Sequence, residues 1–152
     1  MDVNDLVQKI KSGQATETHL EQLKTELSDQ SKSTAFKTDK DFVKALLIET
    51  TPTKKLLQLK ILHNLLYFFS DTVSALESEQ IVNLVLQIFE SHIPSDHQSV
   101  CSRILVFCSH KSTLHNAVIF STLIKNISKL PKIAQKSVKV DLLRTTYACL
   151  ES

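Results

Sequence analysis

One glycine, Gly13, and three prolines, Pro52, Pro94 and Pro131, are all the strong backbone punctuation this chain contains. Sheets draw on glycine and proline for turns and bulges, and phosphate-binding loops need several glycines close together. With so few of either, the backbone is expected to run in long helices joined by short polar connections. The same scarcity excludes function classes: there is no G-x-G-x-x-G, no P-loop and no G-x-S-x-G elbow. Apolar residues make up 42% of the 152 positions, enough for one domain with a single core.

Hydrophobic periodicity places the helices. Val3, Leu6, Val7 and Ile10 form a short amphipathic helix that stops at Gly13, a C′ residue. A second, more polar helix covers 16–27, with Leu20, Leu23 and Leu27 on one face, and 28–37 reads as loop. Thr38 and Asp41 make a capping-box-like start to a helix through Leu47. Further helices are expected at 54–70, 78–90, 96–109, 112–130 and 132–150, giving an all-α chain of seven or eight helices.

Near Met1 there are charges (Asp2, Asp5, Lys9, Lys11) where a signal peptide would need an apolar stretch. The longest apolar run, 61–69, is interrupted by His63 and Asn64 and is too short to span a bilayer. A soluble chain, cytoplasmic or nuclear, with no membrane partner is the expectation. The cysteines agree: Cys101 and Cys108 lie seven apart, which on one helix separates them by roughly 10 Å, too far for a disulfide. All three cysteines sit in apolar stretches and read as reduced core thiols.

The chain resembles itself. A shift of 39 lays Ile61, Leu62, Leu65, Leu66, Phe68 and Phe69 on Val100, Cys101, Ile104, Leu105, Phe107 and Cys108. The same shift lays Ile81, Leu84, Val85 and Ile88 on Phe120, Leu123, Ile124 and Ile127, and places Phe42, Ala45 and Leu46 beneath Ile81, Leu84 and Val85. With three more residues, Leu142, Leu143, Tyr147 and Leu150 match Val100, Cys101, Leu105 and Cys108. A period near 40 is the mark of helical solenoids, whose units bury their apolar faces only by stacking on neighbours.

Leu62-x-Asn64-Leu65 resembles the L-x-N-L motif of the third helix of armadillo repeats. The resemblance covers about residues 40–150 and extends to the related HEAT repeats. It implies a right-handed α-solenoid of about three repeats (38–152) behind an N-terminal helical cap (1–37), forming a single helical-repeat domain. In that family a concave groove, lined by an asparagine ladder, holds an extended peptide. Carried over, the ladder position is Asn64, with Arg103 and Thr145 at the equivalent points one and two repeats on. Arg103 and Thr145 depart from the family's Asn, Gln58 stands where a small Ala is usual, and no glycine separates the first two helices of a repeat. The VHS, ENTH and polymerase-tail-interacting domains, superhelices of similar length, fit the helix count as well.

The charge pattern is uneven. Between Asp96 and Asp141 there is no acidic residue but seven basic ones, including Lys125, Lys129, Lys132, Lys136 and Lys139 in steps that keep to one side of a helix, with Pro131 breaking it midway. A solvated face accounts for most such runs; the functional alternative is a surface for an acidic or phosphorylated protein segment. Nucleic acid is a further alternative for the basic 103–139 region, against which stand few aromatics for stacking and a net charge of only +2. Cys108, His110 and His115 are metal-ligand types, but no closely spaced ligand pair of the zinc-site kind occurs, so neither metal nor cofactor is expected. No nucleophile stands with a base and an oxyanion hole in a recognisable constellation, so the chain does not read as an enzyme.

What remains is a protein-interaction module, an adaptor or scaffold subunit that takes a peptide segment or helical partner on a concave face. The residues expected to contact it are Lys60, Asn64, Tyr67, Arg103 and Thr145, amide, aromatic and charged types enriched at binding hot spots. The last helix carries no polar capping repeat, which predicts that the chain continues as part of a longer protein, self-associates, or packs a constitutive partner against 142–150.

Overall fold

The computed structural model describes residues 1–90 and 92–152, and every regular element among them is helical. Nine α-helices occur there: α1 (Val3–Lys11), α2 (Glu17–Glu26), α3 (Gln30–Ser33), α4 (Lys40–Leu46), α5 (Pro52–Phe68), α6 (Ser78–Phe89), α7 (Ser95–Lys111), α8 (Asn116–Lys125) and α9 (Lys136–Glu151). Single 3-10 segments cover Thr34–Phe36, Ser70–Ala75 and Ile127–Lys132. The chain divides into two compact units, Met1–Leu76 and Glu77–Ser152. Residues 1–37 share the first unit with α4 and α5, because α1 packs on α4 and α2 on α5.

In the first unit, α1 starts where the Asp2 carboxylate accepts the Asp5 N–H at 2.9 Å. It ends in a Schellman turn, with Gly13 N–H donating to the Ile10 carbonyl and Gln14 N–H to that of Lys9. Gly13 takes φ +74°, the left-handed conformation that suits glycine. Thr16 and His19 cap α2 reciprocally, each accepting the other's backbone N–H. The stretch read as loop holds α3, because Asp29 accepts the Ser31 N–H and hydroxyl while the buried Ser33 hydroxyl donates to the Leu27 carbonyl. The cap of α4 is Asp39, one residue beyond Thr38; its carboxylate accepts the Phe42 N–H at 3.1 Å and pairs with Lys11 on α1.

Pro52 occupies the first position of α5, where its missing N–H costs nothing. This helix is apolar on most sides and buries Leu57, Leu59, Ile61, Leu62, Leu65 and Leu66, each side chain contributing roughly 1.5–3 kcal/mol of transfer free energy. Two polar residues are buried with them. Lys55, only 4% exposed, donates to the Leu47 carbonyl at 2.9 Å and pairs with Glu49 at 3.3 Å. Gln58 donates to the carbonyls of Leu46 and Ile48, both at 3.1 Å. Between them they satisfy three consecutive carbonyls at the end of α4.

The second unit repeats the plan. Helix α6 packs on α7 and α8, and both α7 and α8 pack on α9, as α1 packs on α2 and α4, and α2 and α4 on α5. Its end is capped in the same way: Gln98 of α7 donates to the Ile88 carbonyl, ten residues back, at 3.0 Å and to that of Glu90 at 3.3 Å.

Burial refines the repeat register. Ile81, Leu84, Val85 and Ile88 are buried in the second unit, and the buried positions that follow are Ile119, Thr122, Leu123 and Asn126, a shift of 38. Ile124 and Ile127, expected in the core, are 46% and 51% exposed. His97, Cys101 and Ile104 are matched by buried Val138, Leu142 and Thr145, a shift of 41. Leu143, Tyr147 and Leu150, also expected in the core, face solvent. One residue on a helix is 100° of rotation, so an error of one exchanges a buried line for an exposed one.

The helix expected over 112–130 is shorter. Ser112 accepts the Leu114 N–H in a local turn before α8, and at the far end the Asn126 amide donates to the Thr122 carbonyl while its own N–H bonds that of Leu123. That tightens the backbone into the 3-10 segment containing Pro131.

Candidate functional site

Within the second unit, α7 and α9 enclose a recess of about 660 Å³ lined by Ser99, Val100 and Arg103 from α7 and Lys136, Ser137, Val140, Asp141 and Arg144 from α9. The helical period puts 99, 100 and 103 on one side of α7, and 136, 137, 140, 141 and 144 on one side of α9. The start of α9 is tied to α7 by hydrogen bonds. Ser99 donates to the Gln135 side-chain oxygen at 2.8 Å, and Gln135 donates back to the Ser95 carbonyl at 2.8 Å. The buried Ser102 hydroxyl donates to Asp141 at 2.8 Å.

The recess is positively charged. Arg103, Lys136 and Arg144 contribute cations, and none forms an ion pair among the described residues. Asp141 is the single acidic group in the lining and is engaged by Ser102. The Lys–acid pairs of the described chain lie in the first unit: Lys11–Asp39, Lys24–Glu21, Lys32–Glu26, Lys37–Asp71 and Lys55–Glu49. Like charges held on a concave wall reinforce one another's potential and favour an anionic occupant.

The residues expected at the site separate by unit. Lys60, Asn64 and Tyr67 lie on α5 in the first; Lys60 and Asn64 are half-buried, while Tyr67 is exposed and stacks edge-on against Phe68. Arg103 is exposed on α7. Thr145 is fully buried, and its hydroxyl donates to the Asp141 carbonyl at 2.9 Å. The solvent-facing position beside it is Arg144, which sequence reasoning missed. A shift of 41 lays Arg144 on Arg103, a charge match that could have found it.

The lysine stripe does not run as one helical line. Lys125 ends α8, Lys129 and Lys132 lie in the 3-10 segment, and Lys136 and Lys139 are on α9. Only Lys136 reaches the α7–α9 recess; Lys129 and Lys132 line a second recess of about 610 Å³ with Glu90, His92, Ile133 and neighbours. Glu90 there pairs with His92 at 3.2 Å.

Burial pushes the Cys108 thiol up to about 12, and it also raises that of the half-buried Cys149; a thiol so protonated is a core residue in its chemistry. No group of three His, Cys, Asp or Glu that could hold a metal occurs among the described residues. No helix there is long and apolar enough to cross a membrane. Comparison with family models, curated proteins and solved structures gives no match to this chain.

Proposed function

We propose that this chain is a protein-interaction module, an armadillo- or HEAT-like helical repeat that receives an acidic or phosphorylated segment of another protein. The observation that carries the reading is the α7–α9 recess, whose lining includes Arg103, Lys136 and Arg144, none in an ion pair among the described residues, together with Ser99 and Ser137. Guanidinium groups bind carboxylate and phosphate through paired N–H donors, which gives direction as well as attraction. The repeat assignment is supported by the order of helix packing and by the Gln58 and Gln98 caps recurring at a spacing of 40. Binding is then equilibrium docking on a preformed surface in the cytoplasm or nucleus, with no chemical step.

The experiment is selection from a random peptide library, run with phosphorylated and unphosphorylated pools against wild type and Arg103→Glu. Wild type is expected to enrich acidic or phosphorylated sequences, and Arg103→Glu to lose that enrichment while keeping its helical circular dichroism. Absence of any acidic bias with wild type would refute the reading.

A further inference from the structure

Among the described residues, seven of the eleven exposed large hydrophobic ones follow Ser112, and four of these stand on α9. The helix carries two apolar lines. Val138, Leu142 and Thr145 point inward. Val140, Leu143, Tyr147 and Leu150, 36%, 60%, 66% and 65% exposed, form an outward line in steps of three, four and three. That is the a–d–a–d seam of a coiled coil, about 15 Å long by helical rise. A helix needs only one apolar line to pack on its own unit; Leu143, Tyr147 and Leu150 of the second line face solvent, and Val140 at its start borders the α7–α9 recess. Of the flanking positions, Lys139 and Arg144, one on each side of the seam, are cationic, Thr146 is neutral, and Glu151 at the C-terminal end is acidic.

We propose that this outer face of α9 docks an amphipathic helix of another protein, with an apolar seam of its own and acidic residues opposite Lys139 and Arg144. This goes beyond the recess reading, with which it shares Val140 and Arg144 at one edge. The flanking charges argue against a second copy as occupant. In a parallel pair Lys139 would face Arg144 of the other copy, because flanking positions five residues apart meet across such a seam. In an antiparallel pair the axis falls near residue 145, and Arg144 would meet its own counterpart. Both arrangements place like charges together, whereas a helix with Glu or Asp at its flanking positions pairs with both cations.

The test uses the full chain and two labelled synthetic helices about four heptads long, both with Leu at a and d, one with Glu and one with Lys at the flanking positions. Fluorescence anisotropy should show the Glu helix binding at least about tenfold more tightly than the Lys helix. Leu143→Asp and Tyr147→Asp should each abolish that binding without changing the helical signal, since both side chains are exposed. The double change Lys139→Glu with Arg144→Glu, which leaves every apolar group in place, should reverse the preference. Equal binding of both helices, or of neither, overturns the proposal. So does wild type sedimenting as a dimer that Leu143→Asp converts to monomer, which would make the occupant a second copy. Arg103 lies on α7, off the seam: if Arg103→Glu loses acidic peptides but keeps the Glu helix, the two surfaces are separate. If wild type shows no acidic bias in the library yet binds the Glu helix, the recess reading falls and the seam stands.

Discussion

Replacing Gln58 with leucine removes two donors from the end of α4 while keeping side-chain bulk. The Leu46 carbonyl that Gln58 serves is buried and that of Ile48 partly so. Each lost hydrogen bond is worth about 1 kcal/mol net, and a carbonyl left buried without a donor adds about 1–3 kcal/mol, so the expected cost is about 3–5 kcal/mol. Gln98→Leu is the internal control. Its carbonyls, Ile88 and Glu90, are partly buried and exposed, and the second bond is long at 3.3 Å. Water replaces much of what is lost, and the cost should be about 1 kcal/mol. Hydrogen exchange read by mass spectrometry after proteolysis measures both, and it assigns each loss to a unit. Gln58→Leu should accelerate exchange in peptides from α4 and α5, and Gln98→Leu should act weakly and only in α6 and α7. Equal costs, or a Gln98→Leu effect larger than that of Gln58→Leu, would refute the view that burial of the acceptor sets the magnitude.

Three further outcomes are expected. Partial burial of Asp39 works against its ionisation, but Lys11 and the Phe42 N–H outweigh it and hold the carboxyl below its ordinary 3.8; its contribution is therefore present above 3.8 and lost as pH falls through the lower folded value. Asp39→Asn, which keeps a capping oxygen, should cost about 0.5–1 kcal/mol in urea unfolding near neutrality and almost nothing in strong acid; a pH-independent difference would contradict this. A thiol-reactive disulfide reagent should modify Cys149 slowly in the folded chain and reach Cys101 and Cys108, both fully buried, only in denaturant; rapid labelling of all three would contradict it. Both amide atoms of Asn116 are buried without a partner, so Asn116→Leu should raise stability by about 1 kcal/mol or more, and a loss in thermal or urea unfolding would show that the amide is satisfied.

Local signals were the legible part of this chain. Gly13 as the residue that ends α1, and the start of α6, follow from residue chemistry over a few positions. The shift of 39 that apolar matching suggests comes near the shifts of 38 and 41 between lines of buried residues. What failed was phase. On α9, Leu143, Tyr147 and Leu150 are bulkier than Val138, Leu142 and Thr145, so periodicity alone assigns them to the core, yet the structure buries the smaller set. A helix with two apolar lines carries no internal statement of which one its neighbour covers. The same error of one residue put Thr145 where Arg144 stands, and one of the three cations of the recess was lost with it. The loop at 28–37 misled for a different reason: Asp29 and Ser33 act through hydrogen bonds that hydrophobic patterning does not register.

The cap that Lys55 and Gln58 place on α4 has a consequence for synthesis. At seven residues, α4 is too short to persist by itself, and the donors for its last carbonyls are encoded downstream of it. A growing chain that has emerged only as far as Glu49 lacks them, so α4 becomes a stable element when α5 clears the ribosome. Gln98 sets the same order for α6 and α7. In each unit the earlier helix waits for the later one, and translation that stalls between them leaves an unfinished end exposed.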